Sequence, residues 1–235
     1  SPLWWGPVLW VALEMGQTYI ISGFPWELLG NGLYRFPVLL QITDLTGVYG
    51  LSFIIVFINV SLFLALSPSG RKSSRLVPVL ALLPVLALWL GYGYYRLGVV
   101  DEQIAAGPKL KVAVVQGNLK QGEKWKKEMV QATLERYREL TRQVKGARLT
   151  IWPETAAPFF SLRTPQLTGQ VQETAKESGG YLLFGAPAWE LTSQGEQYFN
   201  RAYLLSPQGE VIGQYDKAHL VPFGEYVPLK RFLPF

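Results

Sequence analysis

Residues 47–66, GVYGLSFIIVFINVSLFLAL, form a stretch of twenty residues without a single charged side chain. At a rise of about 1.5 Å per residue, a helix of this length spans roughly 30 Å, the thickness of the hydrocarbon core of a bilayer. A second uncharged stretch, LVPVLALLPVLALWLGYGYY, covers residues 76–95. We therefore predict two transmembrane helices, because the buried helices of soluble proteins rarely lack every charge over such a length.

Residues 2–22 predict a third, weaker membrane helix, because this apolar stretch contains Glu14 and Gln17. Within a bilayer, such polar side chains face the interior of a helix bundle or a cavity. We expect Glu14 to form either a structural hydrogen bond or part of a functional site.

The segment between the two uncharged stretches, residues 67–75, carries Arg71, Lys72 and Arg75. Short loops that carry lysine and arginine stay on the cytoplasmic side of a membrane. We therefore expect this segment in the cytoplasm. The loop at 23–46 and everything after about residue 100 should then lie on the external side.

The second part of the chain, residues 109–235, has a different pattern, in which short β-branched runs alternate with amphipathic segments. Strands are predicted at 110–116, 148–153, 181–187, 199–207 and 210–216, and helices at 125–146 and 165–180. Strands that alternate with helices predict an α/β layered domain.

The composition excludes several classes of site. Residues 1–108 hold equal numbers of basic and acidic side chains, so the net charge of +5 lies entirely in residues 109–235. So small a surplus, with acidic residues interspersed, does not predict nucleic-acid binding; it fits a solvated surface or a mildly basic face near lipid headgroups. The absence of cysteine and the single histidine exclude disulfides, a cysteine nucleophile and a multi-histidine metal site within these residues.

Two charged residues follow predicted strands, where the ligand sites of α/β domains gather. Glu154 follows TIW (150–152) and Lys217 follows EVIGQYD (210–216). A carboxylate next to apolar residues can act as a base, and a nearby lysine can stabilise a developing oxyanion. Taken alone, a pair of this kind is more often a structural ion pair than a catalytic one.

Three motifs together resemble the nitrilase, or carbon–nitrogen hydrolase, superfamily. They are AVVQGN (113–118), IWPETA (151–156) and YDKAHLVPFGEYVP (215–228). Combined with the membrane helices and SGFPW (22–26), they resemble the apolipoprotein N-acyltransferase family in particular. This resemblance implies a partial α-helical transmembrane bundle followed by part of a nitrilase-like αββα sandwich.

The resemblance also assigns roles to individual residues of this sequence. It implies that Glu154 is the general base and Lys217 the oxyanion-stabilising lysine of a Glu–Lys–Cys triad. Glu225, in PFGEY, matches a second glutamate of the site. Trp125, in QGEKW, matches a tryptophan near the substrate path, and Trp26, in GFPW, is a further substrate-binding candidate. In isolation, these tryptophans also fit a buried aromatic at a helix start and an aromatic belt at a membrane interface.

The third member of the triad, a cysteine, is absent from this sequence. In the family it follows the FGE motif by some tens of residues. The resemblance therefore implies an excerpt, truncated at both ends, whose nucleophile lies beyond residue 235. The serine at position 1 and the absence of a signal peptide favour the same interpretation.

The activity implied by the resemblance is acyl transfer. An acyl chain moves from a membrane phospholipid to the N-terminal amine of a diacylglyceryl-cysteine apolipoprotein, through a thioester acyl-enzyme. No metal or organic cofactor is implied. The expected location is the bacterial inner membrane, multi-pass, with the catalytic domain in the periplasm, and we expect a monomer.

Two alternative functions remain open at this point. One is a membrane-tethered amidase of the same superfamily, against which the membrane helices and GFPW argue. The other is a non-catalytic membrane scaffold, which the missing cysteine would favour if 235 residues were the natural length.

Overall fold

The computed structural model describes residues 2–20, 23, 25–67, 72–119, 122, 126–193, 195–222 and 224–227. The chain divides into two compact units. The first consists of Ser1–Gly107 together with Leu220–Phe235, and the second of Pro108–His219.

The first unit is helical. Its elements are α1 (Pro2–Tyr19), a 3-10 helix (Leu29–Leu33), α2 (Pro37–Leu40), α3 (Thr43–Leu66) and α4 (Lys72–Ala106). Among the described helices, α3 and the Leu76–Ala106 part of α4 are long and apolar enough to cross a membrane. Both strongly predicted helices are therefore present. The weaker candidate, α1, forms a helix but does not reach that apolar character.

The boundaries of these helices differ from the predicted ones. A kink at Gly47, whose φ is 61°, separates the first turn of α3 from its apolar body. The helix α4 begins inside the predicted loop at 67–75 and continues to Ala106, well beyond its predicted end at residue 95. Residues 68–71, with Arg71, lie outside the described part of the chain.

Glu14 is buried on α1 and joins this helix to the loop that follows it. Its Oε1 atom accepts hydrogen bonds from the backbone N–H of Leu29, at 2.8 Å, and from the indole N–H of Trp10, at 3.0 Å. The hydroxyl of Ser52 on α3 accepts the N–H of Gly30 at 3.0 Å. Of the two roles expected for Glu14, the structural hydrogen bond is the one observed.

The second unit is a mixed α/β domain. Its elements are β1 (Val112–Val114), α5 (Lys127–Gln143), β2 (Leu149–Ile151), α6 (Pro165–Ser178), β3 (Tyr181–Thr192), β4 (Gly195–Leu205) and β5 (Val211–Asp216). The five strands form one sheet in sequence order. The first three strands are parallel, whereas β4 and β5 are antiparallel to their neighbours.

The helices α5 and α6 cover one face of this sheet. Alternate residues of β3 and β4 point into the core, where Phe184 stacks on Tyr203 with ring centroids 5.3 Å apart. The predicted apolar stripe of α5 packs into the same core, and Tyr137 stacks on Trp152 at 5.0 Å. Burial of these rings is the main stabilising contribution in this unit, on the order of 2 kcal/mol for each large apolar side chain.

The opposite face of the sheet carries exposed apolar side chains, among them Val114 and Tyr215. The predicted fold class, a helical membrane region followed by a nitrilase-like α/β domain, is confirmed. Within the residues that the structure describes, this domain contains one sheet with helices on one face, which corresponds to one α–β half of the expected sandwich.

Candidate active site

Glu154 lies just after β2, where the chain turns away from the sheet. The pairing of β2 with β3 continues as far as Trp152, whose N–H donates to Leu183 O at 2.8 Å. The next residue, Thr155, has a φ of 53°, a left-handed conformation that is unfavourable for a β-branched side chain. The turn passes directly over Gly185 of β3, whose carbonyl accepts the N–H of Ala157 at 3.1 Å. The backbone position of Glu154 is thus fixed by a strained turn that packs against Gly185.

Lys217 lies immediately after β5, the last strand of the sheet. Its N–H donates to Asn200 O at 2.9 Å and so extends the β4–β5 ladder by one bond. Its ammonium Nζ lies 3.2 Å from Glu154 Oε1. The structure therefore brings together the two residues that the sequence predicted as base and oxyanion stabiliser, although they lie far apart in the chain.

The surroundings of Glu154 differ from the predicted apolar setting. Its side chain is 61% exposed, and that of Lys217 is 33% exposed. An ion pair this accessible to water contributes little to stability, roughly 0–1 kcal/mol.

Asn200, on β4, is the site residue that the sequence reasoning missed. Its side-chain N–H donates to Glu154 Oε1, the same oxygen that contacts Lys217. A signal was available, because asparagine is depleted in strands and here stands, together with Arg201, between the aromatic pair Tyr198-Phe199 and the run AYLL (202–205).

Arg201, the neighbour of Asn200, points to the opposite face of the sheet and is only 6% exposed. Its guanidinium donates to both carboxylate oxygens of Asp216, at 2.5 and 2.8 Å, and lies 2.7 Å from Glu190. These carboxylates raise the pKa of Arg201 above its usual range, with the Asp216 hydrogen bond as the largest cause. The ion pairs join β3, β4 and β5 directly behind the site and fix the strand that presents Asn200.

A cavity of about 330 Å³ opens beside these groups. It is lined by the charged pair and Asn200 at one side and by Trp152, Leu183 and Tyr215 elsewhere. A base, a cation and an apolar wall can together accept a substrate carbonyl next to a nucleophile. No side chain of this cysteine-free chain supplies a thiolate.

Of the remaining predicted residues, two belong to the first unit and one is not described by the structure. Glu225 belongs to the first unit, where its Oε2 accepts the N–H of Val221 at 2.8 Å. Trp26 belongs to the same unit, and its indole is 64% exposed. Trp125 lies outside the described residues. The roles predicted for these three side chains stay predictions.

Comparison with known proteins gives matches over almost the whole chain. Residues 1–61 match the family model described as the apolipoprotein N-acyltransferase N-terminal domain, and residues 111–234 match the carbon–nitrogen hydrolase model.

Similar curated proteins carry one name. The apolipoprotein N-acyltransferase of Geobacter metallireducens is 42% identical over 97% of this chain and 44% of that protein. The corresponding protein of Agrobacterium fabrum is 32% identical over 94% of this chain and 42% of its own length. The chain therefore spans less than half the length of these relatives.

Among solved structures, an amidase from Nesterenkonia sp. aligns with a TM-score of 0.38 at 20% identity, covering 51% of this chain and 48% of that one. The family model at residues 111–234 matches more than half of the chain, and its span contains both Glu154 and Lys217. This chain belongs to the carbon–nitrogen hydrolase family.

Proposed function

We propose that this chain is part of an apolipoprotein N-acyltransferase. The enzyme would move an acyl chain from a membrane phospholipid to the N-terminal amine of a diacylglyceryl-cysteine lipoprotein. The nucleophile in this proposal is a cysteine that follows residue 235, since the relatives are more than twice as long as this chain.

The observation that carries the proposal is the Glu154–Lys217 pair at 3.2 Å beside a cavity, in a chain whose first unit holds two apolar helices. The pair supplies a base and a fixed positive charge, which are two of the three groups that acyl transfer through a thioester requires. The apolar helices support a substrate that resides in a membrane.

The proposed reaction has two halves. Glu154 takes the proton of the cysteine thiol, and the thiolate attacks the ester carbonyl of the phospholipid. Lys217 stabilises the tetrahedral oxyanion, which collapses to a thioester as the lysophospholipid alcohol leaves with the proton held by Glu154. The lipoprotein amine then attacks the thioester, forms the amide and returns a proton to the thiol, as expected for covalent catalysis with ping-pong kinetics.

The site residues proposed for this reaction are Glu154 and Lys217, with Glu225 as a second glutamate. Trp125 and Trp26 are proposed to contact the lipid substrates. We propose a monomeric enzyme in the bacterial inner membrane, with residues 109–235 in the periplasm, where the acyl donor and the lipoprotein acceptor are both within reach of the site.

The proposal predicts that Glu154→Gln and Lys217→Ala each slow acylation in the full-length protein while leaving it folded. Loss of a positioned base should reduce the rate about 10²–10⁴-fold, and loss of an oxyanion donor about 10²–10³-fold. The measurement is incubation of purified enzyme with radiolabelled phospholipid in detergent, followed by a denaturing gel and treatment with neutral hydroxylamine, which cleaves thioesters.

Two control variants test whether the loss of acylation is specific to the Glu154–Lys217 pair. Glu173→Gln makes the same chemical change on the exposed surface of α6 and should leave acylation unchanged. Lys176→Ala is the matching control for Lys217. Near-normal acylation in either site variant would reduce the pair to a structural ion pair, and no labelled band in the wild type would refute the acyltransferase proposal.

A membrane-tethered amidase is the less favoured function. The match of residues 1–61 to the acyltransferase N-terminal domain, and the shared name of relatives along nearly the whole chain, support acyl transfer instead.

A further inference from the structure

Asn200 contacts both members of the candidate catalytic pair. Its side-chain N–H donates to Glu154 Oε1, and its backbone carbonyl accepts the N–H of Lys217 at 2.9 Å. The ammonium of Lys217 meets the same carboxylate oxygen at 3.2 Å. The three residues therefore form a closed triangle in which Asn200 is the one member that lies within a strand.

The strand that carries Asn200 is paired on both sides. It pairs along its whole length with β3 on one side, and from Arg201 to Leu205 with β5 on the other. The next residue, Arg201, is fixed on the opposite face by its bonds to Asp216 and Glu190. Because successive side chains of a strand point to opposite faces, locking Arg201 also sets the direction of Asn200.

The two charged partners are less constrained than Asn200. Glu154 is 61% exposed on a turn, and Lys217 reaches it through a flexible four-carbon stem. A lysine alone can follow a moving carboxylate without fixing its orientation. The amide of an asparagine lies on a short side chain, so it cannot follow a moving carboxylate in this way. It also donates a hydrogen bond without placing a second positive charge beside the base.

We propose that Asn200 is the positioning residue that holds Glu154 in the orientation required of the general base and sets its distance from Lys217. This inference rests on the proposed acyl transfer. Asn200 lines the cavity beside Glu154, but its proposed role is exerted through the carboxylate, so its loss should lower the rate of acylation and not the affinity for phospholipid.

The test uses Asn200→Ala and Asn200→Leu in the full-length protein. Both remove the donor without adding a charge beside Glu154, and leucine nearly keeps the volume of the side chain, so it decides the question if the alanine variant does not fold. We expect kcat for acylation to fall roughly 10- to 100-fold in each, the range for loss of a hydrogen bond to a charged group, with KM for the phospholipid unchanged. Tyr198→Phe, on the same strand and the same face, removes a hydroxyl bonded to Glu196 and should leave kcat unchanged.

A double-mutant cycle separates positioning from a structural effect. If Asn200 acts through the carboxylate, Asn200→Ala should lower kcat in the wild-type background but cause little further loss when Glu154 is already glutamine. An equal loss in both backgrounds, or a normal kcat in both Asn200 variants, would overturn the positioning role. These outcomes presuppose that the wild type is acylated and that Glu154→Gln is slow. A wild type without acylation would instead refute the proposed function itself.

Discussion

Gly185 limits how far the candidate base can move toward the sheet. A Cβ atom added at this position would lie 2.5 Å from the backbone nitrogen of Thr155 and 2.8 Å from Glu154 Cα. Both are backbone atoms, which cannot rotate away. Thr155 already has a left-handed backbone conformation, so the turn has little freedom to adapt. The glycine is therefore required by the close approach of two chain segments.

We predict that Gly185→Ala lowers both the rate of acylation and the stability of the fold. Overpacking of this kind costs about 1–3 kcal/mol, and the displaced turn would move Glu154 away from its partners. A shift near 1 Å in a catalytic group can reduce the rate about 100-fold. The measurements are the acylation rate and the thermal unfolding temperature of the same purified variant in detergent.

Gly213→Ala is the matched control. This glycine lies on β5 of the same sheet, but its added Cβ would meet Leu204 Cβ only at 3.6 Å, an ordinary contact. We expect it to fold and to acylate normally. Wild-type rates in Gly185→Ala would show that the turn relaxes without moving the base.

The proximity of Glu154 and Lys217 could be anticipated from sequence, because each follows a strand and such strand ends meet at one edge of a sheet. The catalytic roles of the two residues stay predictions. Asn200 could not be found in this way, since its contact depends on the β4–β5 register and on the side to which its strand turns. The exposure of Glu154 also escaped prediction, because the adjacent apolar residues pack toward the helices instead.

At the scale of elements, α5 and α6 are joined by a carboxylate held between two arginines. Glu177 on α6 bonds the guanidinium of Arg138 and, at 3.1 Å, that of Arg142, one helical turn further along α5. The hydrogen bond from Arg138 is the largest cause that lowers the pKa of Glu177, from about 4.5 to about 2. Folding therefore favours the ionised form of the Glu177 carboxyl.

This pKa shift predicts a pH-dependent contribution to stability. Because the carboxyl of Glu177 binds its proton more weakly in the folded chain, the bridge contributes fully above pH 4.5 and is lost as the pH falls toward 2. Glu177→Gln should lower the free energy of unfolding by about 1 kcal/mol at pH 7 and have little effect near pH 2. Thermal unfolding of the two proteins across this pH range gives the comparison.

Glu173→Gln again provides the control, because Glu173 lies on the same helix and pairs only locally with Lys176. Its unfolding temperature should follow that of the wild type at every pH. A constant difference between wild type and Glu177→Gln from pH 7 to pH 2 would contradict the assigned bridge.

The existence of the elements was predictable, but several of their ends were not. The predicted helix at 76–95 stopped where the uncharged stretch stops, yet α4 continues to Ala106. Arg96 ends the uncharged stretch without ending the helix, because arginine, glutamate, glutamine and alanine favour helix and the first proline beyond it is Pro108. Similarly, β3 passes through Pro187, which was taken as its end, and pairs along its whole length with β4.

At the scale of the whole molecule, the separation into two units followed directly from composition. Uncharged stretches fall before residue 96 and alternating short patterns after residue 109, and the structure divides the chain close to that boundary. The sequence pattern predicted residues 109–235 as one domain, whereas the structure groups Leu220–Phe235 with the first unit.

The span within α4 determines on which side of the membrane the segments before and after it should lie. One apolar span, within α4, separates residues 67–75 from residues 109–235, so these two segments should lie on opposite sides. The basic residues of the first segment favour the cytoplasm. A cysteine introduced at Ser73 should therefore resist a membrane-impermeant thiol reagent in spheroplasts, and one introduced at Gln208 should react. Both should react once the membrane is permeabilised, and the protein without an added cysteine gives the background. Ready labelling at position 73 in sealed spheroplasts, with none at 208, would invert the topology and place the Glu154–Lys217 site away from a periplasmic lipoprotein acceptor.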